Sequence, residues 1–281
     1  MGVTIATSLN RACQELAKTS PTPKLDAEIL LAHVLEIPRS HLYARPEKRT
    51  EGNKLRLFAL MVVARRKGRP VAYLTGQHDF WSLSLKVTPA TLIPRPETEL
   101  LVEEVLRIVP VGARRYLLDL GTGSGAIALA LAKERPNCTI IATDISRAAL
   151  TVAYENARAL EINNVKFLQG EWFAPISSRR FGVIVSNPPY VPNDDPHLMA
   201  GDLRFEPRHA LTGGPDGLAA IRKIVLRAPT HLDPGGVLLL EHAYNQGESV
   251  RALFAAAGFS DVHTARDLAG TERVTRGLFG G

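Results

Sequence analysis

From residue 115 onward, short apolar runs alternate with segments of helix-forming residues, and this alternation constrains the fold more than any other feature. The first run, 117–120, leads into a glycine-rich loop at 121–125 and then into Ala126–Ala132, a stretch of strong helix formers. Alternation of this kind predicts an α/β domain with a mostly parallel sheet, right-handed crossovers and helices on both faces. Strands are predicted at 117–120, 139–143, 165–168, 182–185 and 236–240, with 261–265 and 273–276 as candidates for closing strands.

The glycine loop Gly121-Thr122-Gly123-Ser124-Gly125 and the acid Asp144 each follow a predicted strand at its carboxyl end. A glycine turn before a helix lets the backbone approach a ligand closely, with free N–H groups at the helix start. A carboxylate after the next strand can accept both hydroxyls of a ribose. Two alternatives remain open here: the loop, with Ala126, also satisfies the dinucleotide fingerprint of nicotinamide enzymes, and Asp144 can serve as a helix N-cap.

The four residues Asn187-Pro188-Pro189-Tyr190 follow the apolar run at 181–185, where α/β sheets place their ligands. An amide or exocyclic amine is a poor nucleophile, and two fixed acceptors can hold its N–H groups and aim its lone pair. The Asn187 side-chain carbonyl and the Pro188 main-chain carbonyl are candidates for those acceptors, and the Tyr190 ring for packing on the planar target. Alone, the motif is also compatible with a rigid turn.

Together, the two motifs favour a methyl donor over a nicotinamide cofactor. S-adenosylmethionine has a ribose for Asp144, a carboxylate for the loop amides and a sulfonium methyl group to present to a held nitrogen. A nicotinamide enzyme gives no reason for the motif at Asn187–Tyr190.

The distribution of charge indicates the type of binding partner, and the cysteine content indicates the cellular compartment. Residues 1–75 carry 13 Lys and Arg against six Asp and Glu, so the whole net charge of +6 lies in the first quarter of the chain. This excess favours an acidic partner surface, protein or nucleic acid, and Arg65–Arg69 is the basic run that stands out. With two cysteines, no zinc-like spacing and no apolar run near ~20 residues, the sequence predicts no disulfide framework, no metal site and no membrane span, and a cytoplasmic location.

Helix formers at 26–35 and 55–66 predict a small helical bundle in the first 75 residues, and the alternating stretch at 80–87 predicts a strand or hairpin. The predicted organisation is a helical domain at 1–75, an extended connector at 76–95 and the α/β domain at 96–281. The polar loop at 191–216 is a candidate lid or substrate clamp. Its segment Arg204–Arg208 is equally compatible with a peptide contact and with a surface loop held by ion pairs.

Several stretches match the motifs of a known family. Leu92–Glu99 and Phe205–Leu211 are the most specific, whereas the glycine loop and Asn187–Tyr190 are shared by several kinds of methyltransferase. Further matches lie at 26–31, 70–76 and 80–81. On these residues the chain resembles the release factor glutamine methyltransferases, with no departure at a position expected to do chemistry. The resemblance implies a Rossmann-like S-adenosylmethionine-dependent methyltransferase domain with a mostly parallel seven-stranded sheet as the catalytic domain at 96–281. It also implies that the helical domain at 1–75 binds the substrate and that the hairpin at 76–95 is a linker.

The resemblance also implies a reaction: methylation of the glutamine amide in the Gly-Gly-Gln motif of class 1 peptide chain release factors. By position, the loop Gly121–Gly125 would line the cofactor, Asp144 would bind its ribose and Trp172 would lie beside its adenine. Asn187 would touch cofactor and substrate, and Pro188, Pro189 and Tyr190 would hold the glutamine. From the residues alone, Trp172 is equally compatible with a core aromatic.

The expected partner is a protein, with no nucleic acid required, and the expected state is a monomer. The rival functions are an amino-methyltransferase acting on adenine or cytosine in nucleic acid, a nicotinamide-dependent oxidoreductase and a binding module without turnover.

Overall fold

The computed structural model describes residues 2–280, and their contacts divide into two compact units. The first contains the residues up to Gln77 together with Met199–Phe205. The second contains His78–Leu198 and the residues from Glu206 onward. Part of the loop that follows Tyr190 therefore belongs to the same unit as the N-terminal helices.

The first unit is a helical bundle. Its helices are α1 (Ile5–Leu16), α2 (Pro23–Leu35), α3 (Arg39–Ala44), α4 (Gly52–Arg66) and α5 (Val71–Thr75), and the short strands β1 (Val3–Thr4) and β2 (Arg49–Thr50) pair antiparallel. Its core includes Leu16, Leu30 and Phe58, which are almost fully buried. The helices predicted at 26–35 and 55–66 correspond to α2 and α4.

A buried arginine joins α4 to two other parts of this unit. Arg65 Nε donates to Asp26 Oδ2 at 2.6 Å, and its Nη1 donates to Asp202 Oδ1 at 2.7 Å. The side chain is only 7% exposed. Arg65 is therefore an internal ion-pair residue and cannot contribute to the predicted basic surface, whereas Arg66, Lys67 and Arg69 are exposed.

The second unit is built on a seven-stranded sheet. It follows the two-stranded sheet of β3 (Gln77–Phe80) and β4 (Leu83–Lys86) and the helix α6 (Glu99–Ile108). The strands are β5 (Tyr116–Leu120), β6 (Thr139–Asp144), β7 (Val165–Gln169), β8 (Phe181–Ser186), β9 (Leu232–Glu241), β10 (Phe259–Arg266) and β11 (Glu272–Phe279). Their order is β10-β11-β9-β8-β5-β6-β7; β11 is antiparallel to both its neighbours, and the pairs on the β7 side of β9 are parallel.

Alternate residues of the central strands point to opposite faces of the sheet, and both faces are covered. On β5, Leu117 packs into a cluster with residues of α6, α7 (Ala126–Glu134) and α8 (Arg147–Ala159). Leu118 and Leu120 pack into a second cluster with residues of α9 (Ala219–Arg227) and α10 (Gly247–Ala256). Burial on both faces explains why these strands are continuous apolar runs.

The strand order reverses at β5, which lies between β6 and β8. Such a switch point leaves a crevice outside the carboxyl ends of the strands, and ligands of open α/β sheets bind there. Here the glycine loop follows β5, Asp144 is the last residue of β6, and Asn187 directly follows β8. None of the helices between residues 2 and 280 combines the length and the hydropathy that a membrane crossing requires.

Candidate active site

A cavity of about 220 Å³ opens at the switch point. Six residues singled out in the sequence line it: Gly121, Gly123, Asp144, Trp172, Asn187 and Pro189. The rest of its wall comes mainly from Ala90–Leu92, from the start of α8 and from His209 and Ala210. The two family-specific motifs thus contribute to the same cavity as the glycine loop and Asn187.

The glycine loop has the backbone conformation that its glycines permit. Gly121 and Gly123 have φ values of 73° and 57°, in the left-handed region that favours glycine. A Cβ added to Gly121 would lie 3.3 Å from the Trp172 ring. The missing side chain therefore lets the indole approach the loop closely.

Thr122, Ser124 and Gly125 lie in the loop but not on the cavity wall, and their contacts are internal. The Thr122 hydroxyl donates to Asp119 Oδ2 at 2.6 Å, and the Ser124 carbonyl accepts from Asn156 Nδ2 at 2.9 Å. Gly125 packs against α7 and α8, where a Cβ would lie 3.0 Å from the Leu129 side chain. These three residues fix the loop and the start of α7.

Asp144 ends β6 and orders the loop around itself. Its Oδ2 accepts from the Gly123 N–H and its Oδ1 from the Ser146 N–H, both at 2.8 Å. Burial raises the pKa of this carboxyl, while the two N–H donors oppose the rise. Each oxygen keeps a lone pair for another donor. The N-cap of α8 is Ser146, whose side chain accepts from the Ala149 N–H, so Asp144 is not the cap itself.

Trp172 lies on the cavity wall and also packs against the core. Its position is therefore compatible with both predicted roles, a neighbour of the adenine and a core aromatic. Its φ of 49° is unusual for a residue with a side chain. The Thr143 hydroxyl donates to its carbonyl oxygen at 3.1 Å, which helps to hold this backbone.

The segment Asn187–Tyr190 leaves β8 with its polar groups held in fixed directions. Asn187 Nδ2 donates to Thr98 Oγ1 at 3.1 Å, so protein engages the side-chain nitrogen, whereas the side-chain carbonyl oxygen accepts from no group within residues 2–280. The Tyr190 hydroxyl donates to Glu241 Oε1 at 3.0 Å, and burial together with this carboxyl raises the pKa of the phenol. Pro188 is buried, whereas Pro189 lies on the cavity wall.

Two glycines and a glutamine hold the backbone of this segment from the other side. The Gly213 N–H donates to the Val191 carbonyl at 2.8 Å, and Gln246 Nε2 donates to the Tyr190 carbonyl at 3.1 Å. Added Cβ atoms at Gly213 and Gly217 would collide with the carbonyl oxygens of Pro189 and Tyr190, respectively. The position of the Asn187–Tyr190 backbone is therefore fixed by its contacts with Gly213, Gly217 and Gln246.

A buried ion pair connects the two family-specific motifs. Glu206, whose side chain is fully buried, accepts from the Ile93 N–H at 3.0 Å and pairs with Arg95. This contact joins the Leu92–Glu99 segment to the residues that bring His209 and Ala210 to the cavity. Glu206 is therefore engaged by Ile93 and Arg95, and both interpretations of the Arg204–Arg208 segment as a whole stay predictions.

Thr98, Glu241, Gly213 and Gly217 were not among the predicted site residues. Glu241 had a usable signal, since it ends β9 directly after the apolar run at 237–240, as Asp144 ends β6. Between residues 2 and 280, no cluster of three or more His, Cys, Asp or Glu side chains could hold a metal ion.

The sheet order, the glycine loop at the switch point and the cavity between them define a Rossmann-like methyltransferase. Sequence comparison agrees: the family described as "Methyltransferase small domain" matches residues 96–205, and "PrmC N-terminal domain" matches residues 7–76. A solved methyltransferase from Pyrococcus furiosus has the same fold, with a TM-score of 0.55 and 21% identity over 79% of this chain and 98% of that one.

Curated relatives identify the family. The chain is 50% identical to a release factor glutamine methyltransferase of Salmonella typhimurium, over 96% of this chain and 97% of the relative. It is 48% identical to that of Escherichia coli, over 96% and 97%. The chain belongs to the release factor glutamine methyltransferase family, and the predicted fold and family are confirmed.

Proposed function

We propose that this enzyme transfers a methyl group from S-adenosylmethionine to the side-chain amide nitrogen of the glutamine in the Gly-Gly-Gln motif of class 1 release factors. The observation that carries the proposal is the state of Asn187. Its amide nitrogen is occupied by Thr98, so its carbonyl oxygen is left to accept from a substrate N–H beside the cavity.

The cavity fits the proposed donor in the chemistry of its wall. Asp144 retains lone pairs for the two ribose hydroxyls, and the glycine loop offers a close backbone surface with no side chains in the way. The Trp172 ring supplies a flat apolar wall for an adenine. When bound, S-adenosylmethionine supplies an electrophilic methyl group on a positively charged sulfur that leaves as a neutral thioether.

The protein's part in the reaction is orientation. The Asn187 and Pro188 carbonyl oxygens would hold the two N–H groups of the glutamine amide, and the Tyr190 ring would pack on its plane. Attack would then form the new N–C bond as the S–C bond breaks, and the methylated nitrogen would release its proton to solvent. Fixed orientation of this kind can lower a barrier by roughly 7–11 kcal/mol. The Asn187–Tyr190 motif contains no carboxylate or imidazole. A strong base is not needed before attack, because the amide nitrogen becomes acidic only once it is methylated.

The direct test is incubation of the enzyme with labelled S-adenosylmethionine and a full-length release factor, followed by peptide mapping. We expect one label, on the glutamine of the Gly-Gly-Gln motif, and none when that glutamine is replaced by asparagine. Label on an oligonucleotide in a parallel reaction, with none on the release factor, would instead support the nucleic-acid amino-methyltransferase. The monomeric state and the cytoplasmic location stay predictions.

A further inference from the structure

A carboxyl group lies buried behind the segment Asn187–Tyr190. Glu241 ends β9 and is 1% exposed. Its Oε1 accepts from the Tyr190 hydroxyl at 3.0 Å. Its Oε2 has no hydrogen-bond partner between residues 2 and 280. The Thr98 hydroxyl lies near enough to lower the pKa of this carboxyl, against the larger rise that burial causes.

The direction of the hydrogen bonds around this group follows from its chemistry. In its ionised form this carboxyl can only accept, as its Oε1 does from Tyr190. A hydroxyl that served the unpartnered Oε2 would have to direct its proton toward it, and the Thr98 hydroxyl is the nearby candidate. The Thr98 oxygen is then left as an acceptor, and it receives the Asn187 Nδ2 proton at 3.1 Å. With the Thr98 proton directed to Glu241 Oε2, donation would run one way, from Asn187 through Thr98 to Glu241.

Building on the proposed function, we propose that Glu241 and Thr98 are positioning residues that set the orientation of the Asn187 carboxamide. With Glu241 as the final acceptor, the NH2 group of the Asn187 side chain faces Thr98, and the carbonyl oxygen of that side chain faces the reacting nitrogen. The same carboxylate holds the Tyr190 ring through its hydroxyl, so the two substrate-holding side chains share one buried anchor.

Loss of the final acceptor would reverse the chain. In the variant Glu241→Gln, an amide N–H placed toward Thr98 would donate to the Thr98 oxygen. The Thr98 proton would then need another acceptor, and the Asn187 carbonyl oxygen is at hand. Turning the carboxamide to meet it would present N–H groups to the substrate nitrogen, which needs acceptors.

The experiment measures single-turnover methyl transfer to a full-length release factor, donor affinity by calorimetry and the melting temperature. The variants are Thr98→Val, Thr98→Ser, Glu241→Gln and the double variant Thr98→Val with Glu241→Gln. Glu104→Gln is the matched control, because Glu104 is also a buried carboxylate, but it pairs with Arg107 and Arg276 and does not line the cavity.

We expect Thr98→Val and Glu241→Gln each to slow transfer by roughly 10–100-fold with donor affinity changed less than about threefold. Thr98→Ser restores most of the rate, since it retains the hydroxyl. The double variant is no slower than the slower single variant, because both changes break one chain. Glu104→Gln transfers at the wild-type rate.

A wild-type rate for Thr98→Val, or single effects that multiply in the double variant, would overturn the positioning role. Lower melting temperatures with unchanged rates per folded enzyme would do the same, because they indicate a structural role only. If Glu241→Gln fails to fold, Thr98→Val and Thr98→Ser decide the question. Absence of transfer by the wild-type enzyme would count against the proposed function and is distinguishable from these outcomes.

The pH profile gives a second readout that a structural role would not change. Burial raises the pKa of Glu241 to about 7, against the lowering effects of Thr98, Tyr190 and Arg273 and with a small further rise from Glu97. Because the orientation requires the ionised form, the wild-type rate should fall as pH decreases through about 7. In Glu241→Gln this decrease of the rate at low pH should be absent. The same decrease in that variant as in the wild type would contradict the proposal.

Discussion

Gly213 offers a test of the claim that a fixed backbone places the substrate-holding groups. A Cβ added there would lie 2.5 Å from the Gly217 carbonyl oxygen and closer still to that of Pro189. Real Cβ contacts are essentially never shorter than 3.0 Å, so backbone must move by at least 0.5 Å on one or both sides. Both carbonyls belong to main chain, and no flexible side chain can absorb the change.

The expected cost in rate follows from that displacement. A misplacement of about 1 Å can slow an oriented reaction by about 100-fold, so a shift of about half that size predicts a loss of roughly 10-fold or more. Overpacking should also lower stability by about 1–3 kcal/mol. The assay is single-turnover methyl transfer by Gly213→Ala to a full-length release factor, with donor affinity measured by calorimetry.

Gly280→Ala is the control, because a Cβ at Gly280 meets nothing within 4 Å. It should leave rate and melting temperature unchanged. A wild-type rate for Gly213→Ala, in a protein of wild-type stability, would refute the argument that the Gly213 contact fixes the Asn187–Tyr190 backbone.

Three further predictions concern the donor cavity and the buried acids. Asp144→Ala should weaken donor binding by at least about 10-fold in calorimetry, since two N–H groups and the proposed ribose contacts lose their acceptor; unchanged affinity would remove its proposed role. Gly121→Ala should lower stability by about 1–2 kcal/mol in thermal melts and weaken donor binding, because φ is 73° and the new Cβ presses on Trp172; wild-type values for both would contradict this. Burial raises the pKa of Asp119 from 3.8 to about 7, so the folded protein binds this proton more tightly and stability falls as pH rises across that interval, by up to ~4 kcal/mol. Asp119→Asn should therefore lose less stability than wild type between pH 5 and pH 8 in denaturant titrations, and parallel curves would show that Asp119 does not titrate as described.

Strands and helices of the second unit were predictable because burial on both sheet faces makes each central strand a continuous apolar run. The rule that ligands bind beyond the carboxyl ends of strands also placed the glycine loop, Asp144 and Asn187 at one edge. The same rule points to Glu241, which directly follows the strand predicted at 236–240 just as Asp144 follows the one at 139–143. A buried acid at a strand end is a signal worth using.

Contacts made by loop segments were not predictable. Gly213 and Gly217 contact the Asn187–Tyr190 segment only because of the path the chain takes after Val191, and no periodicity specifies that path. Arg65 illustrates the same limit, since its place in a basic run indicated a surface position. Its actual burial depends on Asp26 and on Asp202, which lies 137 residues away along the chain.

The central claim is that Asn187 makes the amide nitrogen reactive by holding it in place. Single-turnover methyl transfer by Asn187→Ala to a full-length release factor tests it most directly, with donor affinity measured in parallel and Asn163→Ala, an exposed asparagine, as control. We predict a rate at least ~100-fold lower than wild type, donor affinity changed only slightly, and a wild-type rate for the control. A rate for Asn187→Ala within a few-fold of wild type would contradict the claim.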